Sequence, residues 1–274
     1  MLYNGKANFK KTYRFVSQHS NDKKYFVKKL ICYLIFIVLL VWSGKSINFN
    51  FIKLKEGVHG IADILSRMFP PAFYLIPNLI QPTIETIQIS ICGTILAIII
   101  AIPLGLLAAR NISPNPAIYH FSRLLLNAIR AIPDVIFALI FVAAVGLGPF
   151  PGTLAVGFSS SGMLGKFLAD SIEGVDQGAL DALKATGAKP TQVLVYSIIP
   201  QIIPEFVSIA LFRWEMNFRA STILGIVGAG GIGFELMASM RLFNSRDMTM
   251  ILIVILIVVS IVHFSSKTII KKRI

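Results

Sequence analysis

A glycine-rich stretch, GIVGAGGIGFEL at residues 225–236, has the residue types and spacing of a loop that could bind a dinucleotide. In such a loop Gly228, Gly230 and Gly233 would let the backbone approach a pyrophosphate, but only between a strand and the first helix of a βαβ unit. Here a short polar stretch and a 19-residue uncharged run follow the glycines. The nearest suitable acidic residue, Asp247, lies only 14 residues beyond Gly233, short of the roughly 20 that ribose binding requires.

The same glycines suit a helix that must end and turn inside a packed bundle. Glycine adopts backbone conformations that other residues avoid, and its lack of a side chain lets two helices approach closely. We therefore predict that this segment ends one span, turns the chain and packs against neighbouring helices. The predicted packing positions are Gly228, Gly230, Gly231 and Gly233.

Charged residues inside apolar segments are a second candidate for chemistry, because an ion in a membrane normally faces protein, water or an opposite charge. Five such residues stand in two groups: Arg130, Asp134, Arg213, Glu215 and Arg219. Each acid stands four residues from an arginine, so each pair would share a helix face, although Pro133 could kink the first helix. Two interpretations stay open. Either the pairs neutralise each other, or the arginines form a weakly basic path for an oxyanion that matches the guanidinium fork.

Three other patterns predict no reaction. The run SSSG at residues 159–162 lacks the glycine spacing of a nucleophile elbow, so a serine hydrolase is not indicated. Gly165 and Lys166 resemble the end of a P-loop, but Ser160 replaces its first glycine and Phe167 its hydroxyl residue. Four histidines show no metal-ligand spacing and no carboxylate nearby: His19, His59, His120 and His263. No cofactor or metal is therefore expected.

The composition indicates a membrane protein. The 274 residues are 55% hydrophobic and 14% charged, with a mean hydropathy of +0.74, whereas soluble domains carry about 25% charged residues. The net charge of +13 is concentrated at the two ends of the chain, as the positive-inside rule expects, and nucleic-acid binding is not needed to explain it. Cys32 and Cys92 lie inside apolar runs, so no disulfide framework is expected.

Six spans can be placed on the apolar runs. The first, Leu30–Gly44, is predicted to be an uncleaved anchor and not a signal peptide, because a 29-residue basic leader precedes it and no small-residue cleavage site follows. The turn GLGPFPG at residues 146–152 divides a long apolar run into two spans. The other spans are the second at 86–109, the third from about 122, the fourth up to 166, the fifth at 202–225 and the sixth at 248–270.

The number of spans and the basic residues together predict the orientation. An even number of spans places both basic termini on one side, which is the cytoplasmic side. Residues 1–29 are then a basic cytoplasmic segment, 30–47 the first transmembrane helix, 48–82 an extracytoplasmic loop and 83–274 the core. Within that core, residues 173–200 lie in the cytoplasm between the fourth and fifth spans.

A polar island, EGVDQGALDALKATGAKPTQVLVYSIIPQIIPE at residues 173–205, interrupts the apolar spans. Alanine, leucine, aspartate and lysine make Gln177–Ala185 a good helix former, and Gly187 can end that helix. Pro190 prevents the helix from continuing and suits the first turn of another. The sequence thus predicts two short helices joined at Gly187, unless the island is a loop that merely connects two spans.

The island resembles the cytoplasmic loop of permeases from binding-protein-dependent ABC importers, whose pattern is E-A-A-x3-G-x9-I-x-L-P. Four positions carry the match: Asp181 in place of the glutamate, and Ala182, Gly187 and Pro200 unchanged. Three others deviate: Ile199 conservatively, and Leu183 and Ser197 fully. In that family the loop forms coupling helices that dock into a groove of the ATPase subunit, which is the role that the resemblance implies for the four matching residues.

Two longer segments are similar to the phosphonate-importer permeases: NAIRAIPDVIFALIFV at 127–142 and LFRWEMNFRASTILGIVGAGGIGFEL at 211–236. The resemblance covers much of the chain from about residue 83 onward. It implies an all-α, six-span type I ABC importer permease of the MetI-like fold, present as a homodimer in the cell membrane. It also implies a cytoplasmic ATP-binding subunit, an extracytoplasmic substrate-binding lipoprotein, and phosphonate, phosphite, a phosphate ester or phosphate as the substrate.

Two other functional classes remain as alternatives, a self-contained secondary transporter and a membrane enzyme acting on phosphate esters or lipids. No catalytic constellation supports the enzyme, so no enzymatic activity is expected. An ATPase gene and a binding-lipoprotein gene beside this one would favour the importer over both.

Overall fold

The computed structural model describes residues 5–47 and 51–271, and these residues are almost entirely helical. Within the described ranges there are eleven α-helices, with short 3₁₀ and π segments and no β-strand, so the all-α prediction is confirmed. The chain divides into two units, Met1–Asp63 and Ile64–Ile274. Three parts of the predicted organisation lie outside the described residues: 1–4 in the basic leader, 48–50 at the first loop, and the basic 272–274.

The first unit consists of α1 (Gly5–Ser46) and most of α2 (Phe51–Met68). Within α1, the 22-residue segment Tyr25–Ser46 is long and apolar enough to cross a membrane. None of its apolar window is buried inside the protein, as expected of side chains that lipid would cover. α2 is amphipathic, because Val58, Ile61 and Leu65 recur on one face at three- and four-residue spacing.

α3 (Ile76–Leu107) is the first long helix of the second unit. It follows a 3₁₀ turn at Phe73–Leu75 and carries Pro77 in its first turn, where the missing proline N–H costs no hydrogen bond. Pro82 is accommodated inside the helix. The predicted loop 48–82 therefore includes the first seven residues of α3, because these prolines start or continue the helix instead of preventing it.

The predicted third span is two helices and not one. α4 (Pro116–Ala131) and α5 (Asp134–Val145) meet at an angle of 88°. Pro133 has no N–H with which to continue α4, and it restricts the preceding Ile132 to an extended conformation, with φ −88° and ψ 122°. The span is thus broken near its middle by the proline.

α6 (Pro149–Glu173) occupies the position of the predicted fourth span and the centre of the unit, packing on α3, α4, α5 and α9. Fourteen of its 25 residues are buried. Glycines permit this close packing: a Cβ atom on Gly157 would lie 2.6 Å from Leu96, and one on Gly165 would lie 2.7 Å from Leu126.

α7 (Gln177–Ala185) follows α6 and is separated by a turn from α8 (Pro190–Val193). α8 continues without a break through the π-helical segment Leu194–Ile198 into α9 (Ile199–Ile226). The two predicted short helices are therefore present. The second one, however, is the start of the fifth span and not a separate element, because no glycine or extended residue interrupts the helix after Val193.

α10 (Ile232–Arg241) and α11 (Ser245–Lys271) complete the unit. α10 was not predicted from the sequence. By length and apolar composition, four helical segments in the described ranges can cross a membrane, and the bent pair α4–α5 would be a fifth. With the 25-residue α6, this set is compatible with the predicted six spans.

Candidate functional site

Gly187 ends α7 in the left-handed conformation that the sequence predicts, with φ +80°. Its N–H donates to the carbonyl oxygen of Lys184 at 2.9 Å, and the Ala188 N–H donates to that of Leu183 at 3.4 Å. This pair of bonds is the Schellman arrangement, which satisfies the last carbonyl groups of a helix. The turn therefore fixes the direction in which the chain enters α8 at Pro190.

α7 presents two different faces. Leu180 is buried and Leu183 partly buried, and both pack on the apolar cluster at the adjoining ends of α6 and α9. Asp181 and Ala182 are exposed on the other face. Asp181 lies 3.6 Å from Lys184 Nζ, but both side chains are more than half exposed, so this ion pair adds little stability. The exposed face is therefore free to bind a partner.

Hydrogen bonds join the residue that precedes α7 to the start of α9. The Asp176 N–H donates to Gln201 Oε1 at 3.0 Å, and Gln201 Nε2 donates to the carbonyl oxygen of Ser197 at 3.0 Å. Ser197 is buried, whereas Pro200 is exposed in the first turn of α9. Three of the four motif residues thus lie on α7 and its turn, and Pro200 lies on the helix that follows.

Charged residues join α4 to the end of α6, just before α7 begins. Arg123 Nη2 lies 3.0 Å from Asp170 Oδ1 and 3.0 Å from Glu173 Oε2, and its Nε donates to the carbonyl oxygen of Ala108 at 3.0 Å. Glu173 also accepts the N–H of Arg110 at 2.7 Å. The sequence did not reveal this cluster, because its members lie on different helices.

Arg213 lies in the middle of the bundle, with 14% of its side chain exposed. Its Nε donates to Ser160 Oγ at 3.0 Å, and its Nη2 lies 4.0 Å from Asp134 Oδ2. Asp134 also accepts a hydrogen bond from Ser159. These contacts join α5, α6 and α9 close to the break between α4 and α5.

The predicted helix face shared by Arg130 and Asp134 is not present. The break at Pro133 leaves Arg130 in the last turn of α4 and Asp134 in the first turn of α5, so the four-residue spacing no longer places them together. Arg130 is exposed, and no ion pair to it occurs in the part of the chain that the structure describes. The cation that pairs with Asp134 in the described residues is Arg213, from a different helix.

A buried chain of hydrogen bonds extends from Ser160 to α3. Ser160 Oγ donates to Asn217 Oδ1 at 2.7 Å, and Asn217 Nδ2 donates to Thr94 Oγ1 at 2.9 Å. Thr94 donates in turn to the carbonyl oxygen of Ser90 at 2.6 Å. Because lipid offers no hydrogen bonds, polar groups inside a membrane bundle must satisfy one another in this way.

Glu215 is the centre of a second charged group. Its Oε1 lies 2.5 Å from Arg219 Nη2 and 3.0 Å from His263 Nδ1 on α11. Glu215 is 10% exposed, whereas Arg219 and His263 are 48% and 46% exposed. The predicted Glu215–Arg219 pair is present. The prediction that His263 has no carboxylate nearby is wrong, because Glu215 is remote in sequence but lies on an adjacent helix.

The glycine-rich stretch forms the turn between α9 and α10, and a helix precedes it where a nucleotide-binding loop would need a strand. Gly228, Gly230 and Gly231 have φ values of +93°, +78° and +71°, which favour glycine. Gly233 lies inside α10, where a Cβ atom would lie 1.9 Å from the carbonyl oxygen of Thr222 on α9. The stretch therefore turns the chain and packs two helices together, as its sequence predicts.

The same turn contacts α3 and the hairpin between α5 and α6. The Gly148 N–H donates to the carbonyl oxygen of Gly228 at 3.0 Å, and the Ile232 N–H donates to Thr86 Oγ1 at 2.8 Å. A Cβ atom on Gly230 would lie 2.6 Å from Glu85 Oε1. The turn is thus held on both sides by neighbouring helices.

Comparison with known proteins gives a consistent result. Residues 101–274 match the family described as the binding-protein-dependent transport system inner membrane component. The chain is 46% identical over 209 residues to a phosphite transport system permease protein of Stutzerimonas stutzeri, which is 76% of each chain. It is 38% identical over 217 residues to a phosphate-import permease protein of Mycolicibacterium smegmatis, covering 79% of this chain and 41% of that one.

The fold is similar to that of a solved membrane transporter. An inward-facing structure of the MetNI methionine ABC transporter aligns with a TM-score of 0.65 at 19% identity, covering 74% of this chain and 99% of that one. At this level of identity the similarity establishes the helical fold and carries no information on the substrate.

Proposed function

Because the chain belongs to the family of binding-protein-dependent transport system inner membrane components, we propose that it is the permease subunit of an ABC importer for phosphonate or a related phosphorus oxyanion. It would carry the anion across the cell membrane into the cytoplasm, driven by a separate ATP-binding subunit. The named relatives transport phosphite and phosphate, and this supports the substrate class. The chain itself is a transport component and not an enzyme.

The observation that carries the proposal is the geometry of α7 and its turn. α7 is held to the bundle by Leu180 and Leu183, and it leaves Asp181 and Ala182 exposed. A short helix anchored on one face and open on the other suits insertion into a groove of a partner. We assign its open face as the surface that docks on the ATP-binding subunit, with Gly187 as the rigid joint behind it.

The continuous helix after that joint offers a route for mechanical coupling. α8, the π segment and α9 form one helical run from Pro190 to Ile226. Arg213 lies 13 residues beyond Pro200, which is roughly 20 Å along a helix at 1.5 Å per residue. A displacement imposed at α7 by ATP binding would therefore cross only the turn at Gly187 and would then reach the charged groups inside the membrane along one helix.

We assign the intramembrane charges mainly to helix pairing. Arg213 and Asp134 join α5 to α9, and Glu215 joins Arg219 to His263. Arg130, exposed beside the break between α4 and α5, has no such partner among the described residues. A high-affinity anion site is not required in this subunit, because the family's extracytoplasmic binding protein captures the substrate first.

Half-exposed side chains in the apolar spans also support a second copy of the chain as a partner. His263 is 46% exposed and the cation Arg219 is 48% exposed, and a charged group that faces hydrocarbon costs several kcal/mol, about 3 on insertion scales. Protein or water must therefore cover this face, and a homodimer would provide that cover. The remaining partners would be the ATP-binding subunit, the binding lipoprotein and the lipid bilayer.

Arg219→Lys is expected to reduce assembly and to leave the uptake rate of each assembled complex unchanged. A lysine ammonium is a single point charge and cannot reproduce the guanidinium geometry at Glu215. For a pair that is half exposed we expect a loss of about 1 kcal/mol, roughly fivefold in the assembled population. Quantifying the complex by size-exclusion chromatography, alongside substrate uptake, tests this.

Arg130→Lys is the matched control, because no ion pair depends on it in the described residues, and its assembly should stay within about twofold of wild type. Full assembly of Arg219→Lys together with a selective loss of uptake would instead place Arg219 on the anion path.

The proposed orientation has both termini in the cytoplasm and residues 48–82 outside. A Lys55→Cys variant, with Cys32 and Cys92 replaced, should react with an impermeant maleimide added to intact cells, because Lys55 lies on α2 in this segment and is exposed. Modification that occurs only after the membrane is opened would contradict the orientation.

The function is tested by reconstituting the chain in proteoliposomes with an ATP-binding subunit and a binding lipoprotein from the same organism. We expect uptake of phosphonate, phosphite or phosphate that requires both partners and ATP. Uptake driven by an ion gradient without the ATP-binding subunit would indicate a secondary transporter, and an absence of uptake for all three anions would reject the substrate class. Binding measurements on the lipoprotein then distinguish the anions.

A further inference from the structure

A cavity of about 720 Å³ lies at the end of the second unit that is remote from α7. Its walls come from α5, the turn after α5, the end of α9 and one face of α10. Phe234, Met237 and Arg241 follow one another at three- to four-residue spacing, so they form a single stripe of α10 that faces the cavity. Among the described residues that line it, Arg241 alone is charged.

Rigid elements form this cavity. A Cβ atom on Gly228 would lie 2.2 Å from Leu147, and the Gly148 N–H donates to the carbonyl oxygen of Gly228. The turn between α5 and α6 therefore contacts the turn between α9 and α10 directly. The opposite face of α10 is fixed by the buried Ile232 and by the contact of Gly233 with α9. Sites for small molecules are typically preformed in this way, with volumes of about 300–1,000 Å³.

The guanidinium group of Arg241 is available to a ligand. Arg213 donates to Ser160, and Arg219 pairs with Glu215. Arg241 is exposed and has no ion pair or hydrogen bond from its side chain in the part of the chain that the structure describes. It therefore differs from Arg213 and Arg219, each of which already has an acidic or hydroxyl partner in the bundle.

The position of the cavity fits the entrance of the transport path. α9 has 28 residues, about 42 Å of helix, and it connects the α7 end of the unit to the cavity. If α7 is cytoplasmic, the cavity opens on the extracytoplasmic side, where a binding protein releases its substrate. This inference rests on the function proposed above.

We propose that Arg241 binds the phosphorus oxyanion as it enters the membrane part of the transporter. The guanidinium fork matches two oxygens of a phosphoryl group. One cation among apolar walls binds an anion only weakly, which suits a transient site because a transported ion must also leave. Phe234 and Met237 provide an apolar surface against which the carbon substituent of a phosphonate can pack.

Arg241→Gln tests this proposal in proteoliposomes that contain the ATP-binding subunit and the lipoprotein. We expect uptake per assembled complex to fall by about tenfold or more, the usual effect of losing a charge-assisted hydrogen bond. ATP hydrolysis stimulated by the lipoprotein should stay within about twofold, so the ATP consumed per anion imported should rise about tenfold. Arg241→Lys, which keeps the charge, should retain part of the uptake.

Arg246→Gln is the matched control. Arg246 is an exposed arginine five residues farther along, at the start of α11, and it does not line the cavity. Its replacement should change the ratio of ATP to imported anion by less than about twofold, because an exposed charge outside the cavity contributes little.

Three outcomes would overturn the assignment of Arg241: an unchanged ratio of ATP to anion in Arg241→Gln, an equal effect in Arg246→Gln, or failure of both Arg241 variants to assemble. If Arg241→Gln loses the dimer to the same extent as it loses uptake, a second copy of the chain, and not the substrate, covers the cavity. A failure of the proposed function would give a different result, because the wild-type complex itself would then import no phosphorus oxyanion.

Discussion

A Gly187→Val permease is expected to insert in the membrane and yet to lose uptake linked to ATP hydrolysis. Gly187 has φ +80°, and a β-branched residue in that conformation costs roughly 1–2 kcal/mol. A Cβ atom at this position meets nothing within 4 Å, so the effect comes from the backbone and not from a steric clash. Relaxation of the turn would break the Schellman bonds and rotate the exposed face of α7 away from its partner.

The measurement is ATP-dependent uptake in proteoliposomes, compared with ATP hydrolysis and with the amount of permease in the membrane. A strain of about 1.4 kcal/mol corresponds to a tenfold change in equilibrium, so uptake should fall by about this factor or more. Gly187→Asn should retain most of the uptake, because asparagine tolerates the left-handed conformation better than other residues.

Gly178→Ala is the control within the same helix. Gly178 lies in the first turn of α7 without a positive φ, and the nearest atom to an added Cβ would be 3.4 Å away. This change should leave uptake close to the wild-type value. A Gly187→Val protein with wild-type uptake and intact transport-linked hydrolysis would show that the joint is not needed for coupling.

Features set by local backbone chemistry could be predicted from the sequence. The conformation of Gly187 and the start of α8 at Pro190 follow from two residue types whose preferred dihedral angles admit few alternatives. The turn at Gly228 was predicted for the same reason. In each case the preference belongs to the residue itself and needs no knowledge of its neighbours in space.

Helix boundaries near proline were harder to predict. Pro133 breaks a span, whereas Pro82 lies within α3 and Pro204 within α9. A proline removes one hydrogen bond in each case, and the packing of the neighbouring helices decides whether the helix bends or continues. The sequence alone gives the position of the possible break but not its angle of 88°.

Contacts between helices that are distant in sequence could not be predicted from spacing. Asp134 with Arg213 and Glu215 with His263 are separated by 79 and 48 residues, respectively. Only their residue types indicated that such contacts exist, because a polar or ionisable group in an apolar span needs a partner. Asn217 carries the same signal, but its residue type does not identify Ser160 and Thr94, to which it is hydrogen-bonded.

The packing of α10 on α9 leads to the largest expected effect on stability. Gly233→Ala should prevent the two helices from packing as they do, because the added Cβ atom would lie 1.9 Å from the carbonyl oxygen of Thr222. Overpacking of this kind typically costs about 1–3 kcal/mol, and occasionally more. We expect a value at or above the upper end of that range, since the obstructing atom is backbone and cannot rotate away.

Thermal unfolding in detergent measures this destabilisation. Its readout is the loss of the monodisperse peak in size-exclusion chromatography as the temperature rises. Gly60→Ala is the control, since Gly60 lies in helix α2 and an added Cβ atom there meets nothing within 4 Å; alanine should leave that helix as stable or slightly more so. The double variant Gly233→Ala with Thr222→Ala should be no better than Gly233→Ala alone, because removing the threonine side chain leaves the carbonyl oxygen in place. If the double variant recovers wild-type stability, the clash lies with the side chain, and the close approach of the two backbones is not what requires glycine at this position.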